Sequence, residues 1–191
     1  MIVPRPVNLT EDKALILEFH CRTNYESESP WARTVSYENY REKWFSTSQP
    51  EQFFAHFAET AQDPETIAEV WIEEETERAA GYVWVVFYEI KDYGLKAAEI
   101  RDLLVTPEFQ GRGIGRKMLQ YIEEKAVATG ANLLRSETGI ENVPSRRLHE
   151  KAGFQTVRVL FEKKLDGGGA AHGLSGVQNC ERHGAGRAPG L

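Results

Sequence analysis

At 191 residues the chain is long enough to bury a core and short enough for one domain. With 41% hydrophobic and 27% charged residues it has a soluble globular composition, and no stretch approaches about 18 uninterrupted apolar residues, so a membrane partner is not expected. A formal charge of -6 argues against a nucleic-acid binder that works by bulk electrostatics, and mildly favours a cationic partner. Cys21 and Cys180 define neither a disulfide framework nor a metal-ligand spacing, so no metal is expected. The opening MIVPRPVNL lacks the apolar stretch of a secretory signal, which makes a cytoplasmic protein the expectation.

Taken in order, IVPRPV reads as a short strand confined to an edge by its prolines, and Thr10 as the N-cap of a helix over EDKALILEFH. Helical stretches follow at SYENYREKWF from Ser36 and PEQFFAHFAET from Pro50. TIAEVWIEE alternates in the manner of a strand, and EETERAAG turns the chain into YVWVVFYEI, too apolar for an edge. KDYGLK is a loop before a third strand, AAEIRDLLV, which Pro107 bars from continuing. From Gly113 the period becomes 3.6: Ile114, Met118, Ile122 and Ala126 form one stripe with Leu119 beside it, and Gly130 ends the helix. NLLRSETG reads as a strand, NVPSRRLHEKAG as a short helix with Pro144 in its first turn, and FQTVRVLFEKKL as a last strand. Residues 166–191, rich in Gly and Ala, cannot bury enough surface to offset their ordering entropy and read as a disordered tail beyond a domain over 1–165. The expected fold class is α/β, a mixed sheet flanked by helices in a single domain.

VTPEFQGRGIGRKML, Val105 to Leu119, places three glycines between the end of a strand and the start of a helix. First-turn N–H groups of a helix have no intrahelical acceptor and sit at the positive end of its dipole. Glycines at 111, 113 and 115 let an anion approach those amides, and Arg112 and Arg116 add charge, which makes a phosphate site. A Walker loop needs Gly-Lys-Ser/Thr, and a dinucleotide loop needs glycine at 116 or 118; Arg116, Lys117 and Met118 satisfy neither.

Gln110-Gly-Arg-Gly-Ile-Gly115 resembles the Q/R-x-x-G-x-G/A signature of the GNAT superfamily of acyl-CoA-dependent N-acyltransferases. ENVPSRRLHEKAGF, about 30 residues on, is similar to that family's second motif, and the resemblance covers roughly residues 66–165. It implies a twisted, mostly antiparallel sheet and acetyl-CoA as co-substrate. The pyrophosphate would rest on the amides of Gln110, Gly111, Arg112, Gly113, Ile114, Gly115 and Arg116. The backbone of Leu103, Leu104 and Val105 would bond the pantetheine like an added strand and supply an oxyanion donor. The resemblance also gives Asn142 and Ser145 to the cofactor, although Asn is equally a good helix N-cap.

Acetyl transfer to an amine has two proton problems. An alkylamine of pKa about 10.4 is only about 0.04% neutral at pH 7, so a base that supplies the free amine is valuable. The resemblance places Glu99 at that base's position; Asp102 is a second candidate, on the opposite strand face unless a bulge intervenes. The departing thiolate needs a proton, which the family usually supplies from a tyrosine; here that position is His149, whose imidazole can still orient or donate.

Acids interleaved with aromatics over residues 20–63 suit a cationic amine, with Glu26, Glu28 and Trp31, read as loop residues, the candidates for holding it. Tyr37, Tyr40 and Trp44, at i, i+3 and i+7, read instead as a core-facing helical stripe. The expected function is acetylation of a small cationic or polar amine, aminoglycoside- or polyamine-like, by direct attack in a ternary complex. A protein or peptide N-acetyltransferase and a non-catalytic acyl-CoA sensor are the alternatives, and monomer and homodimer stay open.

Overall fold

The computed structural model describes residues 1–28, 30, 34–163 and 165. The elements run β1 (Ile2–Pro6), α1 (Lys13–Ser27), α2 (Tyr37–Phe45), α3 (Gln49–Thr60), β2 (Ile67–Glu73), β3 (Arg78–Ile90), β4 (Leu95–Val105), α4 (Ile114–Ala128), β5 (Leu133–Ser136) and α5 (Val143–Lys151). Five strands form one sheet in sequence order. β1 to β4 are joined antiparallel, and β5 is parallel to β4. Thus the expected mixed, mostly antiparallel α/β fold is observed.

β3 is central because both of its faces are covered. Val83 and Val85 join the core beneath α4, whose stripe of Ile114, Met118, Ile122 and Ala126 is buried as the periodicity implies. Tyr82 and Trp84 join a second core with Ile16, Phe19, Tyr40, Trp44, Phe53 and Phe57 from α1, α2 and α3. Tyr40 and Trp44 are therefore core residues, with Tyr37 packed at the margin. Cys21 is a free, buried thiol on α1, and burial pushes its pKa up to about 12, which leaves it protonated and unreactive. Among the described residues no helix is long and apolar enough to cross a membrane.

Three local expectations change. The cap of α1 is Asp12, not Thr10. The amides of Thr10 and Glu11 donate to the Asn8 side chain, while Asp12 takes a two-pronged bond from Arg5 of β1, so the helix starts after that knot. α1 also runs to Ser27, well past His20, which puts Glu26 in its last turn and Glu28 at its C-cap instead of in a loop. Residues 154–163 form no strand; Val157, Val159 and Phe161 are exposed there, the last by 88%. Alternation supplies β propensity, but a strand exists only with a hydrogen-bonded partner, and this segment pairs with none of the described strands. Met1–Val159 make up one compact unit. The tail 166–191 and Trp31 lie outside the described residues.

Candidate functional site

β4 and β5 pair only from Ala97/Leu133 to Ile100/Ser136. Past that rung β5 has ended while β4 continues to Val105, so on that side the edge of Arg101 to Val105 is left open, with no strand partner among the described residues. Leu103, Leu104 and Val105, expected to bond an extended ligand, lie on this stretch. Its far end is clamped: Thr106 donates from its backbone to Ala80 O (3.0 Å), and Gln110 Nε2 donates to Val105 O (3.0 Å).

The glycine loop follows directly. Gly111 and Gly113 have φ of 74° and 77°, left-handed values that favour glycine, with open space where a Cβ would stand. Gly113 is the N-cap of α4 and contributes no side-chain cap. The first α-helical bond runs from Lys117 N to Gly113 O, so the amides of Ile114, Gly115 and Arg116 belong to the uncapped first turn. The Gln110 amide, by contrast, donates to Pro107 O (3.3 Å). Gly115 has a packing reason as well: a Cβ there would stand 3.0 Å from Leu148 of α5. Phe109 anchors the loop in the core, and the Arg112 guanidinium lies 4.9 Å over its ring. Arg116 is exposed on the first turn of α4. An open, uncapped, cationic helix start fits a pyrophosphate.

A bulge sets the side chains of β4. Trp84 pairs with Asp102 and Val85 with Ile100, leaving Arg101 unpaired. Ala98 and Ile100 accordingly face the α4 core, whereas Asp102 and Leu104 face the α1–α3 core. Glu99 and Asp102 thereby share one face. Glu99 is held by Arg101 Nη1 at 2.9 Å, and it sits in register with Arg135 of β5, which donates to Tyr88 OH (2.9 Å).

Asp102 is only 2% exposed and is already engaged. Tyr82 O–H and His20 Nδ1–H both donate to its Oδ2, at 2.9 and 2.8 Å, and the Asn24 amide donates to His20 Nε2 (3.0 Å). Burial and the neighbouring carboxylate push the Tyr82 pKa well up, so Tyr82 remains a donor. The His20 ring stacks on Phe53 with centroids 3.4 Å apart. This network was not foreseen: His20 is 82 positions from Asp102, and nothing local joins them.

α1 is thus pinned to β4 at His20. Seven residues on, a Cβ on Gly139, in the loop after β5, would meet Ser27 O at 2.8 Å. Between these two points the helix spans the opening over about 10 Å. Its sheet-facing stripe changes from Ile16 to His20, Asn24 and Ser27, apolar to polar, with Glu28 next in line. Glu28 follows this stripe at the C-cap, and Glu26 sits in the last turn of the helix.

On the other side, Asn142 is the N-cap of α5, its Oδ1 accepting from Ser145 N at 3.2 Å. His149 donates from Nδ1 to Ser145 O (2.8 Å), and its Nε2 lies 2.8 Å from Ser136 Oγ.

The Acetyltransferase (GNAT) family matches residues 33–154. An aminoalkylphosphonate N-acetyltransferase of Salmonella typhimurium is 33% identical over 67 residues, 35% of this chain and 44% of that protein. An aminoglycoside N(6')-acetyltransferase type 1 from the same organism is 29% identical over 66 residues, 34% and 46% of the two. The chain spans under half the length of both relatives. A solved structure of a predicted acetyltransferase with acetyl-CoA from Clostridium acetobutylicum superposes with a TM-score of 0.63 at 13% identity, covering 86% of this chain and 96% of that one. With the family match over most of its length, the chain belongs to the acetyltransferase (GNAT) family.

Proposed function

We propose that the protein is an acetyl-CoA-dependent N-acetyltransferase acting on a small amine. The observation that carries this reading is the continuity of the unpaired β4 edge, Arg101 to Val105, with the uncapped start of α4 at Gly113. The first turn of α4 would hold the pyrophosphate, with Gly111, Arg112 and Arg116 at the same loop. The β4 edge would bond the pantetheine as an extra strand, and one of its amides would receive the oxyanion. Asn142 and Ser145, at the start of α5, would flank the same edge, the Asn142 amide nitrogen reaching the pantetheine while its oxygen caps the helix.

The amine would enter beneath α1, among Glu26, Glu28 and the polar stripe. The relatives named above act on an aminoalkylphosphonate and an aminoglycoside, both of them polar amines, which supports this acceptor class. Glu99 would draw the proton from the ammonium, its carboxylate oriented by Arg101. Asp102 is enclosed by two donors and would act as a positioning residue that fixes His20, and with it α1, over the opening. His149 would be the source of the proton returned to the thiolate.

The test is free-thiol release from acetyl-CoA in the presence of a panel of amines: aminoalkylphosphonates, aminoglycosides and polyamines. Amine-stimulated release is expected, and Glu99→Gln is expected to flatten the rise of rate with pH. Tight acetyl-CoA binding with no stimulation by any amine would instead support an acyl-CoA sensor.

A further inference from the structure

The geometry points to Ser136 as the group that hands the departing thiolate its proton, with His149 behind it as a relay; the inference rests on the acetyl-transfer reading above. A lone imidazole at this position would have to present an N–H to the sulfur itself. The structure does not leave it free to do so. Nδ1–H is spent on the Ser145 carbonyl one turn back in α5, at 2.8 Å. Nε2 is within 2.8 Å of Ser136 Oγ. The ring edge is set against Phe154, centroids 4.9 Å apart and planes at 77°, so the imidazole is fixed in both direction and tilt. Any proton leaving His149 toward the opening leaves through Ser136.

Ser136 stands where such a proton is needed. It is the last residue of β5 and pairs with Ile100 in the last rung between the two strands, beyond which β4 runs on alone. A thioester lying along Arg101 to Val105 begins at that rung. Ser136 lies on the same face as Leu134, toward α5, because side chains two apart on a strand share a face. Glu99 and its amine-facing side are on the other face of β4, so base and acid approach the thioester from opposite sides.

The step balances as follows. The free amine's lone pair forms the N–C bond while the carbonyl π pair moves to oxygen. As that pair returns, the C–S bond breaks with its electrons on sulfur. Ser136 O–H gives its proton to sulfur, and imidazolium Nε2–H restores the proton on Oγ. His149 is left neutral and regains a proton from solvent; nitrogen loses two protons by way of Glu99, one from the ammonium before attack and one from the adduct as it collapses, so one proton per turnover is released net.

The full-length chain with Ser136→Ala, Ser136→Thr and His149→Phe, each mixed with CoA itself, tests this without knowledge of the acceptor. Ionisation of the bound thiol is followed by ultraviolet difference titration against a desulfurised CoA blank. CoA bound to the parent protein and to Ser136→Thr is expected to ionise at lower pH than CoA bound to Ser136→Ala or His149→Phe. With an amine that turns over, Ser136→Ala is expected to lower kcat by about tenfold or more while KM for acetyl-CoA changes less than about twofold. The Ser136→Ala, His149→Phe double variant is expected to be no slower than the worse single one. Coincident titrations for the parent and Ser136→Ala overturn the relay and leave the transferase reading intact. Failure of CoA to bind overturns both.

Discussion

At the scale of single residues, Asp12 shows how one carboxylate fixes a helix start. It accepts two bonds from Arg5 at 2.7 Å each and one from the Asn8 amide at 2.8 Å, and it is nearly buried. The Arg5 bonds lower its pKa first, with the Asn8 amide adding to them, against a desolvation that opposes. A carboxylate whose folded pKa is depressed adds stability above its unfolded pKa and loses it as pH falls through the folded value. Asp12→Asn should therefore cost about 2 kcal/mol at neutral pH, discounted for the half-exposed Arg5. The gap between the two melting temperatures should close on acidification, and thermal melts at neutral and acid pH will show whether it does. A gap independent of pH would mean that the carboxylate's charge is not what stabilises this corner.

Among elements, the contact between α4 and β2 carries a cost in charge. Glu69 of β2 accepts from Tyr121 O–H at 2.8 Å, but its other oxygen has no hydrogen-bond partner among the described residues. Burial is the largest influence and raises its pKa, against the Tyr121 bond and Lys125. For a group raised in this way, the stabilising proton is present below the unfolded pKa and its contribution is lost as pH rises through the folded one. Glu69→Gln, which can keep the Tyr121 bond, should thus raise the melting temperature at neutral pH by about 2–4 °C and give no gain near pH 4. A lower melting temperature at neutral pH would show that the charge is needed there. Elements such as α4 and the glycine loop were legible in the sequence because their determinants are local: a buried stripe, and φ values that glycine favours. The start of α1 was misplaced because its knot comes from Arg5, on another element. The last expected strand failed for a similar reason, since alternation over residues 154–163 says nothing about a partner.

For the molecule as a whole, the opening is bordered by pieces far apart in sequence: β4, β5, the starts of α4 and α5, and the end of α1. A ligand that touches all of them must stabilise the folded chain by mass action, by about 2.7 kcal/mol at a concentration 100 times its Kd. Acetyl-CoA should therefore raise the melting temperature progressively with concentration, and a flat response at millimolar ligand would remove the loop at Gly113 from consideration as a phosphate site. The cofactor half of the site was readable from two motifs, whereas the amine half was not, because His20 and Asn24 gain their meaning only when α1 is laid across β4. The unpaired Arg101 has a further consequence for how this chain can vary. Because the pairing skips that one residue, a strand that ran regularly through Arg101 would turn Asp102 into the apolar core beneath α4 and swing Leu103 and Val105 out of it. Any change that straightens β4 through position 101 should therefore carry the Asp102 carboxylate away from Tyr82 and His20 and bury it without partners.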